Sequence, residues 1–206
     1  MIEQRTDDWH AMRCGRITGT GFSDVMNFTK SGEAGAGRKN LIARLAVERL
    51  TGAQAETYKN AAMQRGIDLE PEARSAYEAT TGELVDQVPF VVHPKYDFIG
   101  VSPDGLIGDD GMVELKCPES MHKHLDALLR GGHAIEYRWQ IIGQMWVCER
   151  GWNDATSYDP RYPAHLQLAI KRVLRDEAAI KELEKQCLAV EAEVQATIEQ
   201  ISKKEL

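Results

Sequence analysis

The stretch that decides the fold is 99–118, which reads I-G-V-S-P-D-G-L-I-G-D-D-G-M-V-E-L-K-C-P. Glycine and aspartate at positions 108–111 favour a tight reversal, so we expect two short apolar strands joined by a turn. Side chains alternate between the two faces of a strand, which puts Glu114 and Lys116 on the same face. Asp104 ends the neighbouring strand. The stretch therefore predicts a hairpin that carries two carboxylates and an ammonium group close together.

This cluster has the composition of a magnesium site that hydrolyses phosphodiesters. Asp104 and Glu114 can coordinate one ion, and the main-chain carbonyl of Leu115 can be a third ligand. Lys116 can orient or deprotonate the attacking water and neutralise charge. Glu70, on a predicted helix, could complete the ligand shell. A set of oxygen ligands favours Mg²⁺ over Zn²⁺, which prefers histidine or cysteine.

The same residues are also compatible with a structural role. Glu114 and Lys116 could form an exposed pair on the hairpin, which would stabilise the fold by under about 1 kcal/mol. A glutamate and a lysine separated by one residue are common in proteins. The residues alone therefore leave both catalysis and a surface pair open.

The composition is that of a soluble globular protein. The 206 residues are 43% hydrophobic and 28% charged, and the N-terminus lacks the apolar segment of a secretory signal. No apolar run approaches the roughly 18 residues of a membrane span. We therefore expect a cytoplasmic protein with no membrane partner. The net charge of −7 argues weakly against a nucleic-acid partner, but it does not exclude a local basic surface.

The spacing of apolar residues changes along the chain from helical to strand-like and back. This order predicts a single domain over 1–206 with an α/β fold, whose sheet is flanked by helices on both faces. A long C-terminal helix is expected from about Asp176, and its apolar stripe could pack on the domain or on another subunit. A glycine-rich loop is expected over 30–39. The predicted helices are 7–13, 18–29, 40–51, 58–81, 119–130 and 136–149, and the predicted strands are 84–93, 98–101, 106–107, 112–117, 152–158 and 165–173.

Several segments resemble one family of nucleases. The hairpin segments S-P-D-G-L and E-L-K-C-P are similar to the motif of the PD-(D/E)xK nucleases, and more narrowly to the phage lambda exonuclease or YqaJ-type viral recombinase family. The similarity continues in chain order from about Trp9 to Arg161, most of the sequence. The other matching segments are W-H-A-M-R-C-G-R-I-T (9–18), R-G-I-D-L-E-P-E-A-R (65–74), R-G-G (130–132), Q-I-I-G-Q-M-W (140–146) and Y-D-P-R (158–161).

The resemblance implies a restriction-endonuclease-like fold with a central mixed sheet and the activity of a Mg²⁺-dependent alkaline exonuclease. Such enzymes degrade linear double-stranded DNA from its 5′ ends and leave 3′ single-stranded tails for recombination with a single-strand annealing protein. They are homotrimeric rings threaded by DNA. The resemblance further implies two metal ions per site, with Mn²⁺ able to replace Mg²⁺.

Individual roles are carried over by motif. Arg13, Thr20 and Ser102 match positions that bind a terminal 5′-phosphate, and a guanidinium with two hydroxyls suits a dianionic phosphate. Thr20 stands where serine is expected. Met63 matches an apolar wedge at the end base pair, with core packing as the alternative. The implied catalytic and metal-binding residues are Asp104, Glu114, Leu115 through its carbonyl, Lys116 as the catalytic lysine, Glu70 beside a second metal or its water, and Gln140 beside the water or the scissile phosphate.

Other interpretations stay open at this stage. The chain could be another PD-(D/E)xK nuclease, such as an endonuclease or a RecB/Cas4-like enzyme, or a non-catalytic module that binds DNA ends. The intact acidic residues and Lys116 argue against the module. Four scattered cysteines could hold an iron–sulfur cluster, as in some nucleases of the superfamily, but their spacing disfavours zinc and disulfides, and each suits a small buried apolar residue. They are Cys14, Cys117, Cys148 and Cys187.

Overall fold

The computed structural model describes residues 4–55 and 61–203. The helices are α1 (Asp7–Arg13), α2 (Gly21–Val25), α3 (Ala36–Thr51), α4 (Ala61–Thr81), α5 (Met121–Arg130), α6 (Gly132–Glu136), α7 (Arg138–Val147) and α8 (Glu177–Ser202). The strands are β1 (Val91–Val92), β2 (Gly100–Val101), β3 (Gly105–Ile107), β4 (Gly111–Lys116), β5 (Trp152–Tyr158) and β6 (Leu168–Leu174).

Four strands form the central sheet in the order β3-β4-β5-β6. β3 and β4 make the predicted antiparallel hairpin, in which Gly105 pairs with Val113. Gly108 in its turn has a φ of 50°, a conformation that glycine adopts at little cost. β4 runs parallel to β5, with Glu114 beside Ala155, while β5 and β6 are antiparallel. The sheet is therefore mixed, and the predicted fold class is confirmed.

β4 contributes to a different core on each face of the sheet. Val113 and Leu115 pack with Tyr77 of α4, whereas Met112 belongs to the larger core with Met145 of α7. Alternation along the strand places Glu114 and Lys116 on the same face as Met112. The polar side chains of β4 are therefore directed toward α7, and the apolar side chains opposite them attach the strand to α4.

The apolar stripe of the C-terminal helix packs on the domain itself, which is one of the two partners that the sequence left open. Asp176 caps its start, because the side chain accepts hydrogen bonds from the amides of Ala178 and Ala179, both at 3.0 Å. α8 lies against α3. Within residues 4–55 and 61–203, no helix has both the length and the apolar character for crossing a membrane. The buried residues of the predicted stripe are Ile180, Leu183, Cys187, Val190 and Val194.

The second helix is shorter than predicted. The sequence predicts a helix over 18–29 capped by Thr18, whereas α2 spans Gly21–Val25. Asn27 binds the segment that follows instead of continuing the helix. Its carbonyl accepts a hydrogen bond from the Gly35 amide at 2.9 Å, and its side-chain Oδ1 accepts one from the Gly37 amide at 3.1 Å.

The predicted loop over 30–39 is wrong in its last part, because α3 begins at Ala36. Arg38 is buried and donates to the Val25 carbonyl at 2.8 Å and to Glu193 of α8 at 2.9 Å. The sequence suggests a solvated loop because Arg38 lies in a glycine-rich stretch, and its partner Glu193 is too distant in the sequence to be recognised.

The predicted strand over 84–93 is mostly irregular. Only β1 and an isolated bridge between Asp86 and Leu106 are paired in this part of the described chain. Pro89 has no N–H to donate, which interrupts a ladder of strand hydrogen bonds.

Two helical predictions also change in detail. The predicted helix over 136–149 is divided at Tyr137, whose φ and ψ of −100° and 18° are not helical. α4 continues through Pro71 without a break, so the new first turn predicted there is wrong, while the alternative prediction of a kink stays a prediction. The start of that prediction, at 58–60, lies outside the described residues.

Candidate active site

The hairpin brings Asp104, Glu114 and Lys116 together. Asp104 lies just before β3, and its Oδ2 accepts a hydrogen bond from the Leu115 amide at 2.7 Å. Glu114 is only 1% exposed, and its Oε1 accepts from the Lys116 ammonium group. Because this glutamate is buried, the exposed surface pair that the sequence left open is excluded.

Two glutamines of α7 bind the Glu114 carboxylate from the other side. Gln140 donates to Oε1 and Gln144 donates to Oε2. Residues four apart lie on the same face of a helix, so both amides reach one strand. The sequence assigns a role to Gln140 but none to Gln144. The spacing within Q-I-I-G-Q is the signal that could have identified the second glutamine.

Burial and neighbouring charges change the proton affinities of the cluster. Burial and the charge of Glu114 raise the pKa of Asp104 to about 8, although Lys116 opposes the rise. Burial alone would lower the pKa of Lys116, but the two carboxylates raise it above its ordinary value. Lys116 therefore carries a proton, and its Nζ lies 4.7 Å from the ring centre of Tyr137. Two acidic side chains therefore share a single cationic neighbour, Lys116.

Glu70 lies on α4 with its carboxylate bound by two arginines. Arg74 donates to it at 2.8 Å, and Arg5 forms a second ion pair. Its charge also contributes to the raised pKa of Asp104. No three His, Cys, Asp or Glu side chains in the described ranges are grouped as a metal site. The predicted ligand set thus has the buried carboxylate of Glu114, the half-buried carboxylate of Asp104 and a main-chain carbonyl, and the role of Glu70 stays a prediction.

Arg13 and Ser102 come together beside the carboxylate cluster. The guanidinium donates to Ser102 Oγ at 3.1 Å, and the Trp9 indole N–H donates to the same oxygen at 2.9 Å. The guanidinium also lies 4.2 Å from the centre of a Trp9 ring, a cation–π distance. Burial, with repulsion from Arg44, lowers the pKa of Arg13 to about 10. Trp9 and Arg44 receive no role from the sequence.

Thr20 is exposed and directly precedes α2. A Cβ atom added to the adjacent Gly19 would lie 3.7 Å from the Gln140 side chain and 3.8 Å from Val101. The residue before Thr20 therefore lies near Gln140 and β2. The structure brings Arg13 and Ser102 of the predicted phosphate pocket into contact, while the place of Thr20 in that pocket and the binding role of all three residues stay predictions.

Met63 lies in the first turn of α4 and is 50% exposed. Half of the side chain is thus covered, and core packing, the alternative role, stays open. Its role as a wedge stays a prediction.

The four cysteines are free thiols. Burial raises the pKa of Cys117 and of Cys148 to about 12, so neither is reactive at neutral pH. The described residues contain no group of three metal-binding side chains that would hold an iron–sulfur cluster. Cys187, on α8, is fully buried in the larger core, so packing accounts for it.

A cleft of about 260 Å³ adjoins Lys116. Its walls include Tyr137, Ser157 and the basic residues Lys123 and Arg130. Lys123 is paired with Glu136 and Arg130 with Asp126, so the charges that line the cleft largely cancel.

Comparison with solved structures identifies the class of protein. Two crystal structures of LHK-Exo, an alkaline exonuclease from Laribacter hongkongensis, match with TM-scores of 0.88 and 0.87 and with 42% and 41% identity. Each match covers 96% of this chain and 97% of that one, and one of the two crystals contains dAMP. A phage-related exonuclease from Haemophilus somnus 129PT shares the fold, with a TM-score of 0.77 and 15% identity over 90% of this chain and 96% of that one. The fold and the site together define a nuclease with the restriction-endonuclease-like fold.

The family follows from the sequence match. The model of the YqaJ-like viral recombinase domain matches residues 8–153, and the chain belongs to this family. No curated protein matches the sequence significantly. The predicted family is confirmed, as is the prediction of an enzyme that hydrolyses nucleic acid.

Proposed function

We propose that the protein is a Mg²⁺-dependent 5′→3′ exonuclease that degrades linear double-stranded DNA and leaves 3′ single-stranded tails. One observation carries the proposal: the phosphate-binding candidate Ser102 and the acidic residue Asp104 are two positions apart in one segment. A 5′-phosphate bound at Ser102 and Arg13 would therefore lie next to the groups that hydrolyse the chain. The similarity to LHK-Exo, which is described as an alkaline exonuclease, supports the proposal.

The residues of the site fit a divalent cation with oxygen ligands. Asp104 and Glu114 would hold it, together with the carbonyl of Leu115. Burial and the neighbouring carboxylate raise the pKa of Asp104 to about 8, so its ionised form is unfavourable in the metal-free site. A bound cation would stabilise that ionised form. When bound, Mg²⁺ supplies charge neutralisation and a water of lowered pKa. Mn²⁺ would substitute, and a second ion would engage Glu70 in place of its arginine partners.

The protein side chains provide orientation and charge. Lys116, protonated and bound to Glu114, would stabilise the charge on the phosphate and orient the water. Gln140 would hold the water or the scissile phosphate through its amide. Met63, exposed on α4, would act as a wedge at the end base pair.

Arg13 would set the direction of degradation. Its guanidinium, fixed on Trp9 and Ser102, presents donors for a terminal phosphate, and the Thr20 hydroxyl would supply a further donor. A dianionic 5′-phosphate gains more from these donors than an internal phosphate or a 5′-hydroxyl does.

The wider proposal follows the family. The enzyme would be cytoplasmic, would self-associate as a homotrimeric ring around DNA, and would deliver its 3′ tails to a single-strand annealing protein. These partners rest on membership of the viral recombinase family.

The decisive experiment compares wild type with Lys116→Ala on linear duplex DNA, in Mg²⁺ or in EDTA. Degradation should start at 5′-phosphate ends, require Mg²⁺, and fall by at least about 100-fold in the variant, because a positioned acid–base or charge-stabilising group contributes that much. Lys185→Ala is the matched control, since this lysine is 73% exposed on α8, and it should keep full activity.

Degradation that persists in EDTA, or in Lys116→Ala, would contradict the mechanism. Cleavage of covalently closed circular DNA would instead identify an endonuclease. Ends bound tightly by a wild type that never cleaves them would identify a binding module.

A further inference from the structure

A chain of buried side-chain amides supports Glu114 from behind. Asn153 of β5 donates through Nδ2 to Gln144 Oε1 at 3.1 Å, and Gln144 donates through Nε2 to Glu114 Oε2. Asn153 is 0% exposed, and Gln144 and Glu114 are each 1% exposed. Water therefore cannot replace either hydrogen bond, and the geometry of the carboxylate depends on these side chains.

The chemistry of the amides fixes the direction of this chain. Gln144 directs its NH₂ group to Glu114 Oε2 and its carbonyl to the NH₂ group of Asn153, the arrangement in which each donor meets an acceptor. Asn153 must then donate. Its own Oδ1 is buried and has no partner within the described structure. A buried amide whose carbonyl oxygen has no partner costs free energy, so the hydrogen bond donated by its NH₂ group is the reason we infer for an asparagine at this position.

The two oxygens of Glu114 have different surroundings as a result. Oε2 is held toward the interior by Gln144. Oε1 faces Lys116 and Gln140, whose side chains border the accessible part of the site. Lys116 is 24% exposed, so this side is open to solvent and substrate.

We propose that Gln144 and Asn153 are positioning residues that fix Glu114 so that Oε1, and not Oε2, is presented to the metal. The inference rests on the proposed function, because it concerns the metal-binding role of Glu114. Gln144 acts on the carboxylate directly. Asn153 acts through Gln144: its NH₂ group binds the Gln144 carbonyl and so supports the orientation in which Gln144 donates to Glu114.

A comparison of two substitutions at Asn153 separates this role from a purely structural one. Asn153→Asp keeps the size but supplies acceptors, so Gln144 would turn its NH₂ group to the new carboxylate and direct its carbonyl at Glu114. Asn153→Ala removes the side chain and leaves Gln144 able to donate to Glu114. A carboxylate buried at this position can also destabilise the fold, so the variants are compared as folded proteins. Orientation then predicts that Asn153→Asp, and not Asn153→Ala, loses the hydrogen bond from Gln144 to Glu114, whereas packing alone predicts that both variants keep it.

The first measurement uses the metal-free protein. The side-chain NH₂ signals of Gln144, observed by NMR, should exchange slowly with water and show the shift of a carboxylate-bound amide in wild type and Asn153→Ala. In Asn153→Asp that signature should be lost. Persistence of the signature in Asn153→Asp would overturn the orienting role of Asn153.

The second measurement is a calorimetric titration with Mg²⁺, together with the steady-state kinetics on DNA ends. Affinity and kcat should fall by about 10- to 100-fold in Gln144→Met and Asn153→Asp, as they do when partners of metal ligands are removed, and by less in Asn153→Ala. KM for DNA ends should not change. The control is Thr156→Val, a buried position on the opposite face of β5, which should bind Mg²⁺ as wild type does.

Unchanged Mg²⁺ affinity in folded Gln144→Met would overturn the inference, as would equal losses in the two Asn153 variants. Failure of the proposed function is distinguishable, because a wild type without Mg²⁺-dependent degradation would refute that function while the NMR comparison still decides the orientation.

Discussion

At the scale of single residues, Arg13 is the group expected to distinguish one DNA end from another. Arg13→Ala should slow degradation of 5′-phosphate ends by about 10- to 100-fold, the value of a hydrogen bond to a charged group, and should remove the preference over 5′-hydroxyl ends. Initial rates on the two substrates measure this. Arg13→Lys keeps the charge but loses the planar fork, so it should be intermediate. An unchanged preference in Arg13→Ala would remove Arg13 from the phosphate site.

Asp104 predicts a pH-dependent stability in the absence of metal. Its pKa in the folded protein, about 8, lies above the ordinary value of 3.8, so the folded state binds the proton more tightly than the unfolded state. The resulting stability is complete below about pH 4 and is lost as the pH rises toward 8.

Asp104→Asn should therefore gain melting temperature relative to wild type as the pH rises from 4 to 8 in EDTA, by about 2–4 °C for each kcal/mol of difference. Added Mg²⁺ should stabilise wild type at pH 8 but not the variant. A difference in melting temperature that stays constant with pH would show that Asp104 is already ionised in the folded protein.

The sequence predicts the residues that carry charge at the site better than the residues that hold them. Asp104, Glu114 and Lys116 follow from strand alternation within one hairpin, a local property. Trp9 contacts Ser102, 93 positions away, so no local pattern gives it a role. Gln144 could be inferred from its spacing to Gln140 only once Gln140 is placed against Glu114. Pairwise contacts of this kind depend on the packing of helices against the sheet.

At the scale of elements, α4 is held to the sheet by a buried charge as well as by apolar packing. Asp159, directly after β5, is 0% exposed and accepts from Arg65 of α4 at 3.3 Å and from Arg161 at 2.8 Å. The same arginines reach the Pro118 carbonyl beyond β4. This cluster connects the helix of Glu70 to the ends of the two central strands.

Asp159→Ala should lower the free energy of unfolding by about 1–3 kcal/mol, because it leaves two arginines without their shared partner. Urea denaturation measures the change. Lys185→Ala, which removes an exposed ion pair with Glu182, should change it by less than about 1 kcal/mol. Equal effects of the two substitutions would show that the Asp159 cluster contributes nothing beyond a surface pair.

Elements with a strong local signal follow from the sequence, and those that depend on distant partners do not. The 108–111 turn, β5 and α8 were expected from turn residues and periodicity. The start of α3 was not, because Arg38 is buried through Glu193, 155 positions away. The segment around Pro89 has the apolar composition of a strand, but it lacks the hydrogen-bond donor that pairing there requires.

At the scale of the whole molecule, assembly is the main expectation that a single chain leaves as a prediction. Multi-angle light scattering should give three times the chain mass of 23.1 kDa. The described surface includes large apolar side chains, such as Leu129 and Ile135, which are 72% and 74% exposed. Contact with another subunit would remove such side chains from water. A monomer at the concentrations used for DNA degradation would refute the ring. Fold and family follow from the whole sequence, whereas assembly depends on surfaces whose partners lie in other chains.

The two-sided use of β4 limits how the protein can be altered. Val113 and Leu115 fill the core against α4, and the residues between and after them, Glu114 and Lys116, belong to the candidate active site. A peptide unit is planar and rigid, so a shift that relieves a poorly filled core position also displaces the neighbouring charged group. Libraries aimed at heat tolerance should therefore spare 111–116 and Arg44, which is close enough to affect Arg13, and concentrate on the apolar contact between α8 and α3.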